Sequence, residues 1–145
     1  MEHTYFYMPL TWNASGTYYD ATGNRFSLKG QVTIVHEKAQ WTLDGFLEVA
    51  FPQPARFTNC YCIQPGPDPL TLTWKSYNPA LGTLQGAFEV VGDSILSHYI
   101  SQDGIYSGYE TLIQYDQYTY YNVGLSMKNG KKMSSWTAIL KAESC

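Results

Sequence analysis

The chain has 145 residues, 44% of them apolar, 16% aromatic and only 14% charged, enough to build a real core and too weakly charged for disorder. A net charge of −3, with Arg25 and Arg56 the sole arginines, leaves no basic surface to track a phosphate backbone, so nucleic acid is excluded as a partner. The apolar runs are too short for a membrane helix, and no membrane span is expected.

The opening Met1-Glu2-His3-Thr4 has an acid and no basic region, and the following Tyr5-Phe6-Tyr7-Met8 breaks at Pro9, so the start does not read as a secretion signal. This aromatic stretch is expected to cover one end of the fold. Turn signals then recur at near-even spacing: Thr22-Gly23-Asn24, Glu37-Lys38, Pro52-Gln53-Pro54, the proline run 65–69, Asn78-Pro79, Gly92-Asp93, Asp103-Gly104, Asp116-Gln117 and Asn129-Gly130. Asp103-Gly104 and Asn129-Gly130 are hairpin pairs that tolerate positive φ. The lysines 128, 131 and 132 read as a solvated hairpin end.

These turns separate ten strand-length segments: 10–20, 27–36, 39–51, 55–64, 69–77, 83–91, 94–102, 105–115, 118–127 and 132–142. In the second, Leu28, Gly30, Val32, Ile34 and His36 share a face; in the third, Trp41, Leu43, Gly45, Leu47 and Val49 do. Asp44-Gly45 keeps the phase of the alternation, so Gly45 is expected to be a bulge or kink. The fifth alternates Leu70, Leu72 and Trp74 against threonines, and the sixth Leu84, Gly86, Phe88 and Val90 against Gln85 and Glu89. Period two with one polar face marks antiparallel sheet wetted on one side.

Consecutive short hairpins imply a meander, and closure removes its two exposed edges. The expected fold is therefore all-β: a closed antiparallel up-and-down barrel of about ten strands, one domain over 1–145, with a two-sheet sandwich as competitor. This layout resembles the calycin architecture of lipocalins, fatty-acid-binding proteins and nitrobindins, and the bilin lyases of phycobiliproteins share it. The resemblance implies a lipocalin-like barrel that holds a ligand inside. The first strand, Trp12-Asn13-Ala14-Ser15-Gly16-Thr17-Tyr18, lacks the Gly-x-Trp opening of lipocalins and the glycine-rich form of nitrobindins. No arginine follows Arg56, so the arginine pair that holds a fatty-acid carboxylate is missing.

A ten-stranded barrel has room for a cavity. Strand parity puts Tyr61, Trp74, Phe88 and His98 with the apolar, inward sets, His98 beside Leu96 and Ile100. Four such residues would bind a small apolar or aromatic molecule, with His98 as its polar anchor. Tyr109, Thr111 and Ile113 compete with Glu110 for the inner face, so Glu110 reads first as an outward, solvated acid; turned inward, it would be an acid of raised pKa near His98. Expected ligand-binding residues are thus Tyr61, Trp74, Phe88, His98 and Tyr109. The alternative is an isomerase- or cyclase-type enzyme with His98 as general acid or base, assisted by Glu110 or a tyrosine. Seven tyrosines crowd Tyr99 to Tyr121 on both faces; those pointing outward suggest an interaction surface and a homodimer. Three scattered histidines give no metal site, and no cofactor is specified. Cys60, Cys62 and Cys145 are an odd set without a disulfide pattern, which points to a reducing, cytoplasmic setting.

Overall fold

The computed structural model describes residues 1–143, and every regular element in it is a strand. In chain order these are β1 (Thr11–Tyr19), β2 (Arg25–His36), β3 (Trp41–Val49), β4 (Ala55–Pro65), β5 (Thr71–Asn78), β6 (Gly82–Val91), β7 (Ser94–Ser101), β8 (Tyr106–Asp116), β9 (Thr119–Lys128) and β10 (Lys131–Ala142). Each pairs antiparallel with the next, and β1 pairs with β10 from Trp12↔Ala142 to Tyr19↔Ser135, closing the barrel. The alternation seen in the sequence becomes the wall: Leu28, Ile34, Leu43, Val49, Leu72, Trp74, Leu84 and Phe88 are all buried. The turn chemistry holds as well, with Asn129 and Gly130 at φ 51° and 77° between β9 and β10.

Gly45 is not a bulge. The ladders from β3 to β2 and to β4 run through it without a shift. Its role is close approach, since a Cβ there would meet the Gln31 carbonyl oxygen at 2.3 Å and Val32 Cγ1 at 2.5 Å. Leu70 sits in the turn before β5 and is exposed rather than part of the inner row.

The two barrel ends differ. Residues 4–8 form a turn across the end where β1 begins, and Tyr5 and Phe6 are buried inside it. Phe6 stacks on Phe88 at 4.1 Å, and Tyr5 packs against Trp12 and Tyr120. Hydrogen bonds hold this plug. The Tyr120 hydroxyl accepts from the backbone N–H of Thr4 and, at longer range, Tyr5, and lies 2.7 Å from His3 Nδ1. His36 Nε2 donates to the Phe6 carbonyl oxygen at 2.7 Å. The opposite end carries no such plug. Tyr18 and Phe26 pack on Phe51 over its β1–β3 side only.

Candidate functional site

Between the plug and the open end lies a cavity of about 340 Å³, within the range of small-molecule sites. Its wall is mostly aromatic and aliphatic. Tyr61 lies flat on Trp74, with ring centroids 4.4 Å apart and planes at 9°, and Trp74 stacks in turn on Phe88. Tyr61, Trp74 and Phe88 therefore stand inside, together in one aromatic run. The rings fit because glycine stands opposite several of them. Gly108 faces Tyr99, and Gly124 faces Trp136; a Cβ at either would overlap the ring.

One side of the cavity is polar. β7, β8 and β9 contribute Ser97, Tyr99, Glu110, Asn122 and Ser126 to the lining. Neighbouring pairs share register, Ser97 opposite Glu110 and Glu110 opposite Gly124. The Tyr99 hydroxyl and Ser126 Oγ are 3.0 Å apart, and the Asn122 side-chain Oδ1 accepts from the Trp136 indole at 2.9 Å. Glu110 is partly accessible and lines the cavity from inside the barrel. Desolvation pushes its carboxyl pKa up to about 7, with the neighbouring Asn122 amide offsetting part of the shift. Burial also raises the Tyr61 and Tyr99 hydroxyls, and the nearby Glu110 charge adds to both. The indole N–H groups of Trp12 and Trp74 have no hydrogen-bond partner among the described residues and are sealed within the wall rather than open to the cavity. The chamber thus offers a stacking floor and one titratable acid.

His98 and Tyr109 are elsewhere. Both are exposed on the outer wall, stacked on each other at 4.6 Å across the β7–β8 pair. The expectation that His98 anchors a ligand or acts as acid or base in the cavity is corrected, and Tyr109 leaves the ligand-binding set with it. The inward set of β7 is Ile95, Ser97, Tyr99 and Ser101, while Leu96, His98 and Ile100 face out. The more apolar row of β7 is the outer one, which reverses the usual reading of parity. Glu110 follows from the same reversal: with Tyr109 outside, it must point in. Ser97, Asn122, Ser126 and Trp136 were not singled out in the sequence, and Tyr99 only as one of a tyrosine-rich run. Glycines at 108 and 124 were the available signal, since they leave space for a ring on the paired strand.

Cys60 and Cys62 are exposed on the outer face of β4, and Asp44 holds the Cys60 thiol pKa up, against thiolate chemistry. Cys145 lies outside the described residues. Among the described residues no cluster of three or more His, Cys, Asp or Glu could hold a metal ion, and no helix is long and apolar enough to cross a membrane.

No protein-family model and no curated protein matches the chain. Solved structures do. An S-type phycobiliprotein lyase, CPES from Guillardia theta, superposes with a TM-score of 0.68 over 97% of this chain and 92% of its own, at 8% identity. A putative AttH from Nitrosomonas europaea covers 93% of this chain and 51% of its own, at 9% identity and a TM-score of 0.32. At such identities the first likeness establishes the fold, a lipocalin-like ten-stranded barrel. The second likeness is too distant to carry an argument.

Proposed function

We propose that this barrel binds a small, largely apolar molecule with a planar, conjugated or aromatic body inside its cavity. The observation that carries this reading is Glu110, a lone carboxylic acid on the wall of an otherwise mostly apolar cavity inside the barrel. Such a group is costly to bury and is kept where it meets a partner. The stacked Tyr61–Trp74 pair suits a flat body, and the carboxyl suits an N–H or basic nitrogen on it. A lyase acting on phycobiliproteins shares this fold, which supports aromatic or tetrapyrrole-like compounds as the first ligands to try. A reducing, cytoplasmic setting fits the exposed, unpaired Cys60 and Cys62.

The test is direct. Freshly purified protein should show a visible or near-ultraviolet band beyond its own aromatics, and denaturing extraction should release a compound for mass spectrometry. Glu110→Leu should weaken rebinding of that compound about 10- to 150-fold, the worth of a charge-assisted hydrogen bond. A Glu110→Leu variant that folds and rebinds as tightly as the parent would remove the anchor.

A second reading is proton transfer within the same cavity. A carboxyl pKa near 7 suits a general acid or base at neutral pH. An isomerase of this kind would depend on Glu110, not on His98, and would release a mixture of ligand isomers on extraction.

A second copy of the chain is the proposed occupant of the outer wall of β7–β10. Leu96, Ile100, Tyr109, Ile113, Tyr121, Val123 and Ile139 are each between 39% and 50% exposed there. Ile113, Tyr121 and Ile139 stand side by side across the ladders, so the exposed side chains form a contiguous apolar surface. No carboxylate or ammonium lies among these seven; Glu89 opposite Leu96 and Lys141 beyond Ile139 flank the patch.

A further inference from the structure

The barrel wall has a notch. The β4–β5 ladder runs from Pro65↔Leu72 to Tyr61↔Ser76 and stops there, while β4 stays paired with β3 as far as Val49↔Ala55. From Ala55 to Cys60, roughly 20 Å of strand, β4 therefore lacks a neighbour on its β5 side. Across the gap, the Asn78 side-chain oxygen accepts from the N–H groups of Ala80 and Leu81 at 2.8 and 3.1 Å, which closes the β5–β6 turn on itself.

The cavity reaches this gap. Phe57, Thr58 and Asn59 all line it, though successive residues of a strand should face opposite ways. Gln31 and Val32 also both line it, but there Gly45 bares the backbone of β2. No glycine does so beside Thr58; the free edge of the strand explains its contact. Phe57 shares the inward parity of Tyr61 yet is 44% exposed, as a residue at an opening would be. The Asn59 amide has no hydrogen-bond partner among the described residues, and Tyr61, where the ladder ends, is the ring stacked on Trp74.

We propose that the notch is the route by which ligand enters and the subsite that keeps its polar end. The ligand is then an elongated amphiphile. Its apolar body lies along Tyr61 and Trp74 toward Glu110, and an uncharged hydrogen-bonding end, an amide or hydroxyl, rests on the unpaired edge of β4 and Asn59. An uncharged end fits because the nearest cation, Arg56, is on the outside, paired with Glu48 at 3.4 Å. This rests on the cavity-binding reading above and specifies its ligand class.

Two fluorescent probes test it: ω-dansylamino-undecanamide, with a polar end, and N-undecyl dansylamide, without one. The parent protein should bind the first about three- to tenfold more tightly, the worth of a neutral hydrogen bond or two, and Asn59→Leu should erase that preference. Ala80→Trp, an exposed residue on the lip, should slow stopped-flow association about tenfold or more, while Met133→Trp, at the rim away from the notch, should not. Equal affinity for both probes, with association slowed only by Met133→Trp, would overturn the notch and leave the cavity reading standing. If neither probe enters the parent protein, the cavity reading falls and the notch with it.

Discussion

A carboxyl held near pH 7 by burial ties stability to pH in a defined direction. In the unfolded chain Glu110 titrates near its ordinary value of 4.5; in the barrel it does so at about 7. Between these values the native state holds the extra proton, so stability falls as pH rises through that window and the loss is complete above about 7. The shift corresponds to about 3 kcal/mol as an upper figure. Glu110→Gln keeps the shape and removes the charge, so it should be about 2–3 kcal/mol more stable than the parent at pH 8 and nearly equal to it at pH 4. Urea unfolding across pH 4–8 reads the difference, and two parallel profiles would show that Glu110 is not desolvated. His98→Ala should leave ligand affinity unchanged, because its ring stacks on Tyr109 on the outer wall, away from the cavity.

At the scale of elements, the plug is the least strand-like part and among the most tightly packed. Phe6 is 2% exposed and adopts a positive φ of 68°, a conformation disfavoured for a bulky residue and held here by the Phe88 stack and the His36 bond. Phe6→Ala should cost about 3–5 kcal/mol through the void it leaves, seen as a lower urea midpoint with little change in slope. A loss under 1 kcal/mol would mean the segment is not docked in solution. The strands themselves were legible from the sequence, because Gly, Pro, Asn and Asp mark their turns and period two marks their rows. Which row faces inward was legible only where the outer row is polar. In β2, Leu28 and Ile34 oppose Lys29 and Gln31, and the rule works. In β7, Ser97 and Tyr99 oppose Leu96 and His98, and it fails. The inner row there lines a polar strip of cavity and the outer row an apolar patch, so hydrophobicity no longer separates inside from outside.

On the whole molecule that same inversion makes the barrel two-sided. The outer wall of β2–β5 carries Lys29, Asp44, Glu48, Arg56 and Lys75, the ordinary dress of a solvated sheet. The outer wall of β7–β9 carries Leu96, Ile100, Tyr109, Ile113, Tyr121 and Val123. Large apolar side chains gathered on one outer wall are uncommon on a chain that stays alone in water. A two-fold contact would set each such wall against its copy, placing Tyr109 and Val123 near the centre of a buried patch. The parent should therefore sediment as a dimer that persists at high salt, since apolar contacts are not screened. A Tyr109→Glu, Val123→Glu double variant puts carboxylates on both facing walls and should sediment as a monomer. Because both side chains point away from the cavity, that monomer should keep the parent's unfolding midpoint at low protein concentration and its affinity for cavity probes. A parent that sediments as a strict monomer at high concentration would show that the patch has another occupant. A variant that loses cavity binding along with the dimer would mean the two walls of β7–β9 are coupled, and the interior could not then be treated apart from the interface.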